Sequence, residues 1–177
     1  MSKIILIDKK FRKNTKKYIF QCVLATLTVF AILLFLDVLS ETAIITSLGA
    51  SAFIVFTMPN RYMSDPRRLI GGYIVGLTIG ILFHLLLTLI IGNTVLVEHI
   101  NTLVIFGAIA VGFSIFIMAV TNTEHAPAAG ISLGLVINQW DYLTLLFIIG
   151  AILWMSIIRK LLKPYLMDLI SPHLRGF

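Results

Sequence analysis

The sequence predicts an all-α membrane protein of about six transmembrane segments, set as two inverted three-segment halves, 19–91 and 102–163, with the second segment of each half short or broken. Three observations predict it. The 177 residues are 59% hydrophobic and only 12% charged, with a mean hydropathy of +1.01. A soluble domain is about 25% charged and needs that charge to cover its surface. All 14 Lys and Arg residues fall on segments that share one side of the membrane when the N-terminus is placed inside, as the positive-inside rule requires. Finally, a polar break, Thr121-Asn122-Thr123-Glu124-His125-Ala126-Pro127-Ala128-Ala129-Gly130, interrupts apolar sequence on both sides. In a bilayer such non-helical backbone must be buried in protein or line a wet cavity.

Residues 1–18 form a basic arm, with Lys3, Lys9, Lys10, Arg12, Lys13, Lys16 and Lys17 against Asp8 alone. The arm abuts an apolar run, so attraction to anionic membrane lipid explains it more economically than nucleic acid, which is not expected as a partner. The run from Ile19 to Leu36 exceeds the roughly 7–15 residues of a signal-peptide core and precedes no cleavage-type site, so it reads as a retained first span ending near Asp37 and Glu41. The single Cys22 cannot form an intrachain disulfide.

The second run, Ala43 to Pro59, sits at the lower limit of about 17 residues for a spanning helix. It opens with Thr46-Ser47-Leu48-Gly49-Ala50-Ser51-Ala52, small residues that suit either close helix packing or a broken, late-starting helix whose free N–H groups face a ligand. The loop 60–68 holds Arg61, Asp65, Pro66, Arg67 and Arg68, with Asp65 expected as N-cap and Pro66 in the first turn of the next helix. The third span, Leu69 to Ile91, carries Gly72, Gly76 and Gly80 on one face, a stripe that suits close helix contact and predicts a homo-oligomer. His84 lies in its far half.

The loop 92–101 bears no Lys or Arg, and a fourth span runs from Thr102 to Val120. After the break, the apolar run Ile131–Ile137 reaches about twelve residues even when extended back to Ala126, against about 20 for a full crossing. A loop bare of positive charge precedes it by one span and a basic C-terminus follows, so parity requires this segment to cross, as a half-helix plus non-helical chain. The last span, Tyr142 to Leu162, ends at Arg159, Lys160 and Lys163. Pro164 closes it, and 164–177 reads as a cytoplasmic interfacial tail. The expected location is the cell membrane, multi-pass, with both termini cytoplasmic.

Two short second segments in corresponding positions of inverted halves point to a midplane site in a transporter. Their N-termini are expected to face one another, each offering about half a positive charge and free N–H donors, which favours an anion. The candidate binding residues are Ser47, Gly49, Ala50 and Ser51 in the first half and Thr123, His125, Pro127, Ala128 and Gly130 in the second. Pro127, with fixed φ and no N–H, sets the chain direction; Gly130 and the alanines let backbone donors approach; Ser and Thr hydroxyls donate to the ligand or bond their own helix. His125 binds the anion or carries a proton, with His84 a second possible proton site. Arg67 and Arg68 form the pathway entrance or simply fix topology. Glu124 opposes an anion unless it is paired or turned to water.

His125-Ala126-Pro127-Ala128-Ala129-Gly130 resembles the His-Pro-Pro signature of the HPP family of integral membrane proteins. Gly49-Ala50-Ser51-Ala52 and Asp65-Pro66-Arg67-Arg68-Leu69-Ile70-Gly71-Gly72 are similar to its Gly-Ala-Ser-Ala and Pro-Arg-Asn-(Leu/Ile)-Ile-Gly-Gly blocks, in the same order, over about residues 19–162. Ala126 replaces the first Pro and Arg68 the Asn, which bears on fine ligand geometry. Some bacterial and plastid members are described as nitrite transporters, so the resemblance implies transport of nitrite; composition and charge alone imply a small anion or polar solute.

The sequence carries no metal-ligand spacing, no nucleotide-binding Gly-Lys-Ser/Thr motif and no acid pair, so neither an enzyme nor a cofactor is expected. The reading from a different class is a structural or regulatory membrane subunit whose glycines serve helix packing, and an anion channel remains open beside a carrier.

Overall fold

A computed structural model describes residues 9–35, 42–91 and 100–169. Its helices are α1 (Lys9–Phe35), α2 (Thr42–Thr57), α3 (Pro66–Ile91), α4 (Ile100–Thr121), α5 (Ala126–Ile137) and α6 (Tyr142–Leu162), with a 3₁₀ turn over Tyr62–Ser64; no strand occurs among the described residues. Four of them, α1, α3, α4 and α6, are long and apolar enough to cross a membrane. α2, with 16 residues, spans about 24 Å and α5, with 12, about 18 Å at 1.5 Å per residue, short of a hydrocarbon layer of ~30 Å. The chain is a multi-pass helical membrane protein.

The element bounds follow from local chemistry, with two adjustments at the ends. Much of the basic arm is helix: α1 starts at Lys9 and bends at Asn14 (φ −130°, ψ 29°), within the basic stretch and before Lys16 and Lys17. α3 starts at Pro66, as expected of Pro in a first helical turn, three residues before the apolar span at Leu69, and the Asp65 carbonyl accepts from the Arg68 and Leu69 amides, both at 2.9 Å. The expected span end at Asp37 and Glu41, and the tail beyond Leu169, lie outside the described residues.

The described part of the segment after α6, to Leu169, folds back on the bundle. Leu166 and Leu169 are buried, and the Leu169 amide donates to the Thr57 carbonyl at 2.8 Å. Gln21, fully buried in α1, donates through Nε2 to the carbonyls of Phe56 (2.5 Å) and Met167 (2.9 Å) and accepts from the Met167 amide. Arg159 donates twice to the Pro59 carbonyl, at 3.0 and 2.7 Å. These bonds satisfy carbonyls at the end of α2 that no helix partner reaches.

α5 is the hub, packed against α2, α3 and α4. The glycines of α3 make this possible. A Cβ at Gly72 would lie 2.8 Å from His125 Cβ, one at Gly76 would strike the Ala128 carbonyl, and one at Gly80 would lie 3.0 Å from Leu135 and Ser132. Partner numbers rise together along both helices, so α3 and α5 run parallel. The stripe expected to join two copies is thus used inside the chain, and a homo-oligomer would need another face.

Against α2 the order reverses: Gly130 meets Ser47, and Gly134 meets Ile44 and Ala43. The two short helices therefore lie side by side and antiparallel, which corrects the expected end-to-end facing of their N-termini. The first turn of α2 sits beside the last third of α5, and Ser51, level with the start of α5, is about 13 Å further along. α2 is also unbroken through Ser47–Ala52. Small residues on both helices allow this close approach, which buries Ile44, Leu48, Ile131 and Leu135 completely.

The helix neighbours map onto each other when α1, α2 and α3 are exchanged with α4, α5 and α6: α1–α2 with α4–α5, α2–α6 with α3–α5, and α1–α6 with α3–α4. α2–α5 and α3–α6 map onto themselves. The equivalent pairs are not equally tight, since a cavity of about 990 Å³ separates α1 from α6, lined by residues such as Ile32, Trp140, Phe147 and Trp154.

Candidate functional site

The site is built where α4 hands over to α5. Asn122 takes the left-handed conformation (φ 54°) that Asn tolerates better than most residues. It lets the Thr123 amide return to the Met118 carbonyl at 2.9 Å and its own amide to Ala119, a C-terminal cap that stops α4. The chain then runs extended through His125 (φ −140°, ψ 96°), and Pro127 falls in the first turn of α5. His125 occupies the N-cap position but makes no side-chain cap bond. Its ring turns sideways into the bundle, where it is fully buried.

There Nε2 lies 2.8 Å from Ser51 Oγ on α2. Ser51 Oγ lies 2.8 Å from Tyr73 Oη on α3, and that hydroxyl donates to the Ser47 carbonyl at 3.1 Å. On the other side of the ring, Nδ1 lies 3.2 Å from the carbonyl of Met63 in the 3₁₀ turn. A carbonyl only accepts, so Nδ1 carries a proton. Ser51, Tyr73 and His125 all have no exposure, and the two rings sit 5.8 Å apart. Room for this comes from Gly71 and Gly72, where a Cβ would lie 2.6 Å from Thr123 Cγ2 and 2.8 Å from His125 Cβ respectively. Gly72 is six residues into α3, so the network lies about 9 Å in from the end that carries the arginines.

Nearer the start of α3 lies Arg68. It forms an ion pair with Glu124, donates to Asn122 Oδ1 at 2.5 Å, and stacks over the Tyr62 ring at 4.8 Å. The carboxylate that would repel an anion is thus neutralised by the residue standing where the family block has Asn. Arg67 is exposed at the same end.

Of the expected binding residues, the fold brings together Ser51 and His125, with Ser47 contributing its carbonyl, since its hydroxyl bonds the Ala43 carbonyl of its own helix. Ala128 packs against Gly72 and Gly76, and Gly130 against Ser47, so both serve helix approach. The Ala128 amide is taken by the His125 carbonyl at 2.9 Å and Pro127 has none, which leaves the start of α5 fewer free donors than an open helix N-terminus. Thr123 lies half-buried against Gly71, its hydroxyl 2.8 Å from that of Thr121. Gly49 and Ala50 are not in the site: Gly49 faces Val29 of α1 and Ala50 is exposed. Their places on α2 are one and two residues round from Ser51, which turns them off the α5 side.

His84 is remote, eleven residues or about 16 Å along α3 from Tyr73. It rests against Trp140 with ring centres 5.2 Å apart, and its Nδ1 is buried without a hydrogen-bond partner among the described residues. The polar pattern of the sequence gives no sign of Tyr73 or of the Met63 carbonyl. The one available signal for Tyr73 is its position directly after Gly71-Gly72, on the helix face that the glycines open. At the opposite end Asp141 caps α6, accepting from the Thr144 amide at 2.8 Å and hydroxyl at 2.9 Å, bonds that hold its carboxyl below the usual range.

A bundle of this kind, with four helices long and apolar enough to span, two short helices packed antiparallel at its centre and a buried polar chain at the start of one of them, defines a polytopic α-helical membrane protein with a polar cluster buried between its helices. The chain belongs to the HPP family: the description "HPP, transmembrane region" matches residues 10–163. No curated protein and no solved structure matches it.

Proposed function

We propose that this chain carries a small inorganic anion across the membrane, with nitrite the leading substrate. The observation that carries the proposal is the His125–Ser51–Tyr73 network, three polar side chains bonded to one another and without exposure between α2, α3 and the start of α5. Ionisable groups inside a membrane are costly and mark solute or proton pathways. Nitrite is the choice because the HPP blocks retained here are those of a family with members described as nitrite transporters. The pairing of helix neighbours under exchange of the two halves is what an inverted repeat produces, and such repeats support alternating access around a central site.

In this reading the basic face is cytoplasmic, both termini lie there, and Arg67 and Arg68 draw the anion in. The anion displaces Glu124 from Arg68 and reaches Thr123 and His125. With Ser51, Tyr73 and His125 unexposed, the conformation is closed, which favours a carrier that must rearrange over an open channel. The test is nitrite uptake by purified protein in liposomes, set against protein-free vesicles because nitrous acid leaks through lipid. Uptake that falls at least tenfold in His125→Ala supports the proposal. Absence of uptake by well-folded wild type, together with stable association with another membrane protein, supports the subunit reading instead.

A further inference from the structure

The buried chain of contacts ends in a carbonyl at both ends, and this sets how many protons it holds when all four contacts are hydrogen bonds at once, as in the loaded state. Its four contacts run from the Met63 carbonyl to His125 Nδ1, from Nε2 to Ser51 Oγ, from Oγ to Tyr73 Oη, and from Oη to the Ser47 carbonyl, at 3.2, 2.8, 2.8 and 3.1 Å. Each contact needs one proton, because two acceptors facing each other at these distances repel. Carbonyl oxygens supply none. Tyr73 gives its single hydroxyl proton to Ser47, so Ser51 must give its own to Tyr73, and His125 Nε2 must then donate to Ser51. Nδ1 already donates to Met63. Neutral imidazole brings the total to three protons for four contacts; only an imidazolium completes the set.

We propose that this chain of contacts is a proton-loading site, and that each anion crosses with one proton carried on His125. The inference rests on the transport reading and adds the coupling ion. A buried cation without a counter-charge is costly, and no carboxylate bonds the ring among the described residues. α2 presents only the hydroxyl of Ser51 and the carbonyl of Ser47, α3 presents Tyr73 and, nearer the basic end, Arg67 and Arg68, and α4 presents no charged group. Glu124, next in sequence to His125, is held by Arg68, while Tyr62 on the 3₁₀ turn and Asp65 just after it are exposed. The counter-charge therefore comes from the transported anion. Proton and anion each lower the cost of holding the other, which is reciprocal coupling between two ligands. The pair is neutral overall, so its passage moves no charge.

Tyr73→Phe tests the count. It removes the hydroxyl that directs the chain toward Ser47 while keeping the ring that fills the core. Two contacts then remain for the histidine, and a neutral imidazole with Nδ1–H and a Ser51 hydroxyl donating to Nε2 satisfies both. The measurement is nitrite uptake in liposomes with pH difference and voltage imposed separately, again set against protein-free vesicles. For wild type, uptake is expected to ignore voltage and to raise the accumulation ratio about tenfold per unit of pH difference, the value for one proton per anion. Tyr73→Phe is expected to become voltage-driven and to lose the pH-driven accumulation; a packing role alone would change the rate and leave the coupling intact. Wild-type uptake driven by voltage and indifferent to the pH difference overturns the proton site and leaves anion transport standing. A second measurement needs no flux: the ¹⁵N signals of His125 in purified protein are expected to shift from one to two protonated nitrogens when nitrite is added, with the shift lost in Tyr73→Phe. A ring that stays neutral with nitrite bound overturns the proposal.

Discussion

Replacing Gly76 by alanine adds one methyl group where α3 passes the first turns of α5, and the fold leaves no place for it. The new Cβ would press on the Ala128 carbonyl oxygen and lie 3.2 Å from its carbon, so backbone rather than a flexible side chain must move. Overpacking of this kind costs about 1–3 kcal/mol. Gly112 and Gly150 supply the control, since a Cβ at either meets nothing within 4 Å and alanine in an open helix position gains roughly 0.8–1 kcal/mol over glycine. That helix gain applies at both positions and cancels, so Gly76→Ala should fall below Gly112→Ala by the overpacking cost alone, about 1–3 kcal/mol. At roughly 2–4 °C per kcal/mol for a chain of this size, thermal unfolding in detergent followed by tryptophan fluorescence should separate their midpoints by about 2–12 °C. Equal midpoints would mean that α3 and α5 do not touch backbone to backbone, and the hub role of α5 would fall with that contact.

Ser51→Ala leaves His125 Nε2 and Tyr73 Oη short of a partner inside the bundle, a loss of about 1–3 kcal/mol, and should lower the same midpoint; an unchanged one would place His125 elsewhere. Glu124→Gln weakens the hold on Arg68, whose partner carboxylate is 48% exposed, so stability should barely change. Labelling of a cysteine at position 123 by a polar thiol reagent, with Cys22 replaced, should instead speed up several-fold. At the other end, the Thr144 bonds that lower the Asp141 carboxyl contribute stability that is complete above the ordinary carboxylate value of about 3.9 and is lost as pH falls through the lowered folded value. Wild type should thus lose more of its thermal midpoint between neutral and strongly acid pH than Asp141→Asn does.

Much of this protein is legible before any coordinates. The membrane class, the order of the six helices and most of their ends follow from the sequence, because backbone in lipid must bond within its own segment. Span length, Pro66, the polar residues at 121–125 and the charge asymmetry are all local features, and α5 appears as the short apolar helix expected after the polar break. His125 and Ser51 are recognisable as site candidates because polar groups stand out against apolar sequence.

Only the tertiary structure decided which way each helix face turns. Along α3 both faces are apolar, so hydropathy could not tell that Gly72, Gly76 and Gly80 meet α5 rather than a second copy. The same ambiguity hid Tyr73, set Gly49 and Ala50 away from the site, and concealed that α2 and α5 lie antiparallel instead of end to end. Sequence-local bonding specifies where a helix begins and stops; its rotation about its own axis is settled by the fit of neighbouring surfaces, here by backbone approaching backbone at glycine and alanine.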